Sequence, residues 1–206
     1  MEFQRDIVKA RFRGHVVLAS TSERRRRLME EAGYDFEVEA PGFEEDALHP
    51  MDPSVLAEAL AWAKARAVSE RIGRGVVIGA DTIVALDGDV IGKPEDPDDA
   101  RRILGRLSGS THEVITGLCV LNAGSRGERV IGADVTRVTM RRLTDEELDA
   151  YVAGGEGLGK AGAYAIQETG DRFITSMDGS FTNVVGLPMP MLARFLDAMR
   201  ELVDKR

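Results

Sequence analysis

A run of β-branched and small residues, Val76-Val77-Ile78-Gly79-Ala80-Asp81-Thr82-Ile83-Val84, places a carboxylate inside what reads as a buried strand. An ionised acid withdrawn from water needs a metal, a cation or a set of N–H donors. The strand continues to Leu86, Asp87-Gly88 supplies a hairpin turn, and Val90-Ile91 returns towards Gly92-Lys93-Pro94. That return could bring Lys93 back towards Asp81, which makes it the nearest candidate partner along the chain. An acid and a lysine converging beside small residues suit phosphate chemistry, where cations neutralise charge and the acid prepares a water.

Length and charge narrow the function classes. A chain of 206 residues can bury a substantial core as one large domain or one domain with two lobes. The formal charge of −8 argues against a nucleic-acid polymer as partner, because that affinity rests on a basic face. No apolar stretch approaches the roughly 18 residues of a membrane span, and no secretion signal opens the chain, so a soluble, cytoplasmic protein without a membrane partner is expected. The single cysteine, Cys119, lies in the apolar run Gly117-Leu118-Cys119-Val120-Leu121 and reads as a buried strand residue.

Mixed strands and helices with no internal repeat indicate an α/β unit, a mixed twisted sheet with flanking helices. Residues 1 to 14 read as a frayed or helical extension, and residues 15 to 206 as a single domain with two lobes. His15 to Ala19 is a strand, and Ser20-Thr21-Ser22-Glu23 opens a helix that Gly33 ends, with Ser20 and Glu23 spaced as a capping box. Asp52-Pro53-Ser54 and Asp96-Pro97 each begin a helix with a cap and a proline. Long antiparallel strands are expected over Thr111 to Leu121 and Arg129 to Leu143, followed by a helix capped by Thr144 and Glu147. After a glycine-rich loop from Gly154 to Gly162 come two short strands, near Tyr164 to Gln167 and Phe173 to Ser176, and a closing amphipathic helix.

Several segments offer sites, each with a plain alternative. The strand, Ser20-Thr21-Ser22, helix junction exposes N–H groups at the positive end of a helix dipole and can hold an anion. The arginines that follow can equally form a solvated turn; helical spacing puts Arg24 over Leu28 on the core side, Arg25 beside it, and Arg26 and Arg27 towards solvent. Lys64 interrupts the apolar stripe of Leu60 and Val68, either snorkelling outward or standing as a cation at a cleft rim. Gly154 to Tyr164 carries Lys160 and can wrap a phosphate or merely connect, but it lacks P-loop order because Ala161 follows the lysine. Glu44-Glu45-Asp46 reads as a solvated acidic run, and His112 as structural.

Taken together, Leu18-Ala-Ser20-Thr-Ser22-Glu-Arg24-Arg25, Gly79-Ala-Asp81-Thr82, Gly92-Lys93-Pro94, Ser108-Gly109 with His112 and Thr116-Gly117, Lys160-Ala-Gly162-Ala-Tyr164 with Ile166-Gln167, and Asn183-Val-Val-Gly-Leu-Pro188 resemble the Maf family. The motifs occur in family order from about residue 16 to the last helix. The resemblance implies a nucleoside triphosphate pyrophosphatase that cleaves between the α and β phosphates. It also implies two lobes around a central cleft, an architecture related to inosine triphosphatase, a homodimer, and a divalent metal, Mg²⁺ first with Mn²⁺ or Co²⁺ as alternatives. Carried over by motif, Asp81 resembles the general base and a metal ligand, Glu45 a second acid near the metal, and Arg24, Arg25, Lys64, Lys93 and Lys160 the phosphate-binding cations, with Ser20 at the anion-binding turn. Thr82 and Gln167 resemble base-pocket residues of the dTTP and UTP subgroup, which extends to modified pyrimidine nucleotides; Gly-Ser-Asp-Gln would mark the 7-methyl-GTP subgroup.

The sequence departs from the family pattern at Glu23 in place of proline, Gly159 in place of aspartate, Ala165 in place of glycine, and Glu168 after Gln167. The alternatives are a 7-methyl-GTP pyrophosphatase, a phosphatase releasing orthophosphate, and a regulator of septum formation that holds nucleotide without turnover.

Overall fold

The computed structural model describes residues 5–42, 52–124, 127–167 and 169–204. The elements, in order, are β1 (Val16–Ala19), α1 (Glu23–Ala32), β2 (Glu37–Glu39), α2 (Pro53–Ile72), β3 (Val76–Leu86), β4 (Asp89–Ile91), α3 (Pro97–Leu107), β5 (Thr111–Asn122), β6 (Arg129–Met140), α4 (Asp145–Ala153), β7 (Ile174–Asp178), α5 (Phe181–Val185) and α6 (Met189–Asp204). Among the described residues the strands form one seven-stranded mixed sheet in the order β2-β1-β3-β5-β6-β7, with β4 on β3. The mixed α/β sheet with flanking helices matches the expected class. No helix among the described residues is long and apolar enough to cross a membrane.

The site is set by how β3 is paired. One edge is covered by β5 from Val76 to Ala85. The other edge is shared: β1 runs parallel along Val76 to Gly79, and β4 runs antiparallel along Val84 to Leu86. Between them Ala80 to Ile83 have no strand neighbour on that edge among the described residues. Because β1 is parallel and β4 antiparallel to β3, the C-terminal ends of both strands run into this gap from opposite sides. The tight return that makes β4 possible uses Asp87 and Gly88 at φ 53° and 86°, the left-handed pair of a two-residue hairpin.

Helix α2 covers one face of the sheet, and small residues bring it close. Ala57, Ala61 and Ala65 recur every four residues on a single helix face, all fully buried. They lie against glycines: a Cβ on Gly79 would stand 2.2 Å from the Ala61 carbonyl oxygen, and one on Gly117 would stand 2.1 Å from that of Ala57. The opposite face carries two apolar clusters. One joins Leu18, Ile78 and Leu118 to α1 and α6; the other joins Val84, Val114 and Val138 to α3 and α4. The buried polar side chains Thr116, Thr136 and Asn183 lie between them.

Four expectations change. Residues 5–14 form no helix or strand, yet they are not frayed: Ile7, Ala10 and Phe12 pack on the core, Ala32 O accepts from Ala10 N at 2.9 Å, and Asp6 Oδ1 accepts from Thr182 N at 2.9 Å. No strand forms near Tyr164 to Gln167, because Gly162 and Ala163 take φ values of 73° and 57° and curl the chain into a 3-10 turn over Ala161–Ala163. The cap of α1 is Ser22 rather than Ser20; Ser22 Oγ accepts from Arg25 N, while Ser20 Oγ accepts from Ser22 N at 3.1 Å. Strand β6 also ends at Met140, earlier than expected.

Candidate active site

A cavity of about 680 Å³ opens at the gap in the β3 edge. Its walls include the β1–α1 turn with Ser20, Arg24 and Arg25, the β3 residues Asp81 and Thr82, Lys64 of α2, Lys93 after β4, and Lys160 and Gln167 of the glycine-rich region. Every candidate site residue read from the sequence lines it except Glu45, which lies outside the described residues. The chain carries a net charge of −8, yet the lining includes Arg24, Arg25, Arg27, Lys64, Lys93 and Lys160 against Glu23 and Asp81. The basic site is local, and such a concentration of cations in a cleft can attract an anion despite the acidic whole.

Asp81 is 8% exposed, and its partner is Lys64, whose Nζ donates to Asp81 Oδ1. This corrects the expectation that Lys93 plays that role. Asp81 points to the same face as Gly79, towards α2, and the glycine–alanine contact draws the helix near enough for Lys64 to reach it. Lys93 stays in the same cavity but is exposed. Ile91, the last residue of β4, pairs with Val84, and Lys93 follows that strand end by two residues. Lys64 does not snorkel away; its side chain is 12% exposed and that of Asp81 11%.

Thr82 points to the other face. Arg25 spans the mouth there, with Nε donating to Gly186 O at 2.7 Å, Nη2 to Thr82 Oγ1 at 3.0 Å and Nη1 to Ser20 Oγ at 3.4 Å. Behind Thr82 the polar contacts continue inward. Thr82 Oγ1 and Thr116 Oγ1 lie 2.9 Å apart, and Thr116 Oγ1 donates to Asn183 O at 3.0 Å. Asn183 Nδ2 donates to Val114 O at 2.9 Å and Thr136 Oγ1 at 2.8 Å. The cap of α1 also faces the cavity through Ser20 and Ser22, bringing the positive end of that helix to the site.

On the far wall Lys160 Nζ donates to Glu156 O at 2.5 Å, and Tyr164 Oη lies 2.7 Å from His112 Nε2. His112 is buried and burial lowers its pKa to about 4, so it is a neutral structural partner, in keeping with the reading from sequence. Burial also raises the Cys119 thiol to about 12, which removes it as a nucleophile. Arg27, expected in solvent, is exposed but also reaches the cavity lining. In the sequence Thr116 and Asn183 stand out only through the family resemblance; their support of Thr82 appears once the β3–β5 register pairs Thr82 with Thr116.

The family model for Maf-like protein matches residues 15–199. A dTTP/UTP pyrophosphatase of Ruminiclostridium cellulolyticum is 40% identical over 192 residues, 93% of this chain and 99% of that protein. One from Moorella thermoacetica is 44% identical over 181 residues, 88% of this chain and 93% of that protein. The Ham1 protein of Coxiella burnetii superposes with a TM-score of 0.52 at 15% identity, over 89% of this chain and 98% of that one, a likeness of fold. With a family match that runs through every wall of the cavity and relatives aligned nearly end to end, the chain belongs to the Maf family.

Proposed function

We propose that this chain hydrolyses dTTP and UTP, with modified pyrimidine nucleotides as a further class, between the α and β phosphates, releasing the monophosphate and pyrophosphate. The observation that carries it is the meeting of one buried acid, Asp81, with the cations Arg24, Arg25, Lys64, Lys93 and Lys160 in a single cleft. A volume of about 680 Å³ lies within the roughly 300–1,000 Å³ of small-molecule sites. The relatives' activity and the Thr82 and Gln167 pair support the pyrimidine assignment.

In this reading Asp81 orients a water and takes its proton as the oxygen attacks the α phosphorus. The bond from that phosphorus to the bridging oxygen breaks, and pyrophosphate leaves with the electron pair. Lys93, Lys160 and the arginines stabilise charge on the leaving group, the electrostatic demand that preorganised cations meet best. Lys64 fixes the orientation of Asp81 through their ion pair.

A divalent cation, Mg²⁺ before Mn²⁺ or Co²⁺, fits this donor set. Mg²⁺ is commonly held by one or two carboxylates plus substrate phosphates, and Asp81 offers one carboxylate inside the cavity. Among the described residues no group of three or more His, Cys, Asp or Glu side chains forms a complete protein cage, so substrate oxygens would complete the shell, with Glu45 as the second acid implied by family resemblance. When bound, the ion neutralises phosphate charge and acidifies a coordinated water. The same reading makes the protein a cytoplasmic homodimer acting on free nucleotides, with residues 15–206 as one working unit.

Asp81→Asn tests the proposal directly. Pyrophosphate release from dTTP with Mg²⁺ should fall by about 10²–10⁴-fold while dTTP binding persists, and a chelator should abolish wild-type release until Mg²⁺ is restored. Full turnover by the variant contradicts the role of Asp81. Nucleotide binding by the wild type without any product favours the regulator instead, and preference for 7-methyl-GTP over dTTP and UTP overturns the subgroup.

A further inference from the structure

The polar chain behind Thr82 has a proton order, and that order decides what Thr82 can present to the cavity. Thr116 Oγ1 has one proton and two close oxygens, Asn183 O at 3.0 Å and Thr82 Oγ1 at 2.9 Å. If Thr116 donated to Thr82, its contact with the Asn183 carbonyl would be two oxygens at 3.0 Å with no proton between them, a repulsive arrangement inside a fully buried site. Both contacts become hydrogen bonds only when Thr82 donates to Thr116 and Thr116 donates to Asn183 O. Arg25 Nη2 already donates to Thr82 at 3.0 Å and reinforces its acceptor role. The hydroxyl proton of Thr82 is thus committed inward, and only lone-pair density faces the cavity.

We infer that Thr116 and the Asn183 carbonyl act as positioning groups for specificity, making Thr82 an acceptor that selects bases with an imide N–H and rejects bases with a bare ring nitrogen at the same place. Uracil and thymine carry N3–H, whereas cytosine has an unprotonated N3 acceptor. An acceptor-only Thr82 pairs with the first two and sets lone pair against lone pair with the third; an unprotonated phosphate oxygen is refused in the same way. The inference rests on the pyrimidine triphosphate reading and adds a discrimination against cytosine, controlled by a residue outside the cavity lining. Thr116 is 0% exposed and acts through Thr82, so it is not a catalytic residue.

The test is kcat/KM for UTP and CTP in the wild type, Thr116→Val and Thr116→Ser, with melting temperature recorded for each. Valine keeps the shape but leaves Thr82 without its inward acceptor, so its proton is free to face the base. The wild type should prefer UTP, Thr116→Val should lower the UTP/CTP ratio by about tenfold or more, and serine should restore it. A purely structural role for Thr116 would depress both substrates in parallel, and an unchanged ratio in folded Thr116→Val overturns the inference. Should the valine variant fail to fold, the wild type decides alone: 3-methyl-UTP, which keeps both carbonyls but lacks the N–H, should be used at least about tenfold less well than UTP, and equal use overturns the proposal. Release of pyrophosphate from no triphosphate at all would instead overturn the underlying pyrophosphatase reading.

Discussion

Asp81 and His112 are both buried and polar, and their surroundings give them opposite characters. Asp81 lies on the cavity wall with the Lys64 ammonium beside it, which compensates the charge that burial would otherwise penalise. His112 is enclosed with Tyr164 Oη against Nε2 and no partner for Nδ1 among the described residues, so burial favours the neutral ring. Its pKa falls from 6.5 to about 4, and an unfolded chain therefore binds more protons at this position between those values. The stability contributed by a neutral His112 is present above pH 6.5 and is lost as pH falls towards 4. From pH 7 to pH 5 this single group should remove about 2 kcal/mol from the unfolding free energy. His112→Gln, which can still bond Tyr164, should reduce that pH dependence in urea titrations; a slope identical to wild type contradicts the assignment.

Much of the local architecture was legible in the sequence because its signals are local. The caps Asp52, Asp96 and Thr144 start α2, α3 and α4 where expected, and the capping box of Thr144 with Glu147 is formed. Elements without such signals were missed. Strand β2 is three exposed residues, too short for the alternation of Glu37-Val38-Glu39 to stand out, and α5 is five residues long, although its Ser180 cap is a readable sign. The partner of Asp81 was misread for a different reason. Lys93 is near along the hairpin, whereas Lys64 becomes near only because α2 packs its alanines onto Gly79 and Gly117, a tertiary contact that no local pattern encodes. Gly79→Ala tests that cause: the new Cβ would stand 2.2 Å from Ala61 O and 2.8 Å from Ala65 N. Overpacking of this kind costs about 1–3 kcal/mol, a fall of roughly 2–12 °C in melting temperature, and the displaced helix should carry Lys64 from Asp81 and lower turnover as well. Wild-type stability and activity in this variant would show that the close approach is not needed.

The molecule as a whole is organised around an interruption in its sheet. Strands β1 and β4 share one edge of β3 without meeting, α2 closes one face of that opening, and the two apolar clusters flank the other. Chain segments far apart in sequence, from Ser20 to Gln167, thereby deliver their polar groups to one cavity in a protein whose net charge is −8. Motif order alone points to most of these residues, since Ser20 follows β1, Lys93 follows β4, and Asp81 and Thr82 lie on the stretch of β3 between the segments paired with those two strands. The proton order behind Thr82 was not legible, because it needs the cross-strand pairing of Thr82 with Thr116 and the approach of Asn183 from α5. Hydrolysis of dTTP with Mg²⁺ in ¹⁸O-water, with the phosphate products separated and weighed, reads directly which phosphorus the water attacks. Attack at the α phosphorus gives dTMP and pyrophosphate in equal amounts with the label in dTMP; dTDP with labelled orthophosphate, or label in pyrophosphate, would contradict a cleft built to break the α–β bond.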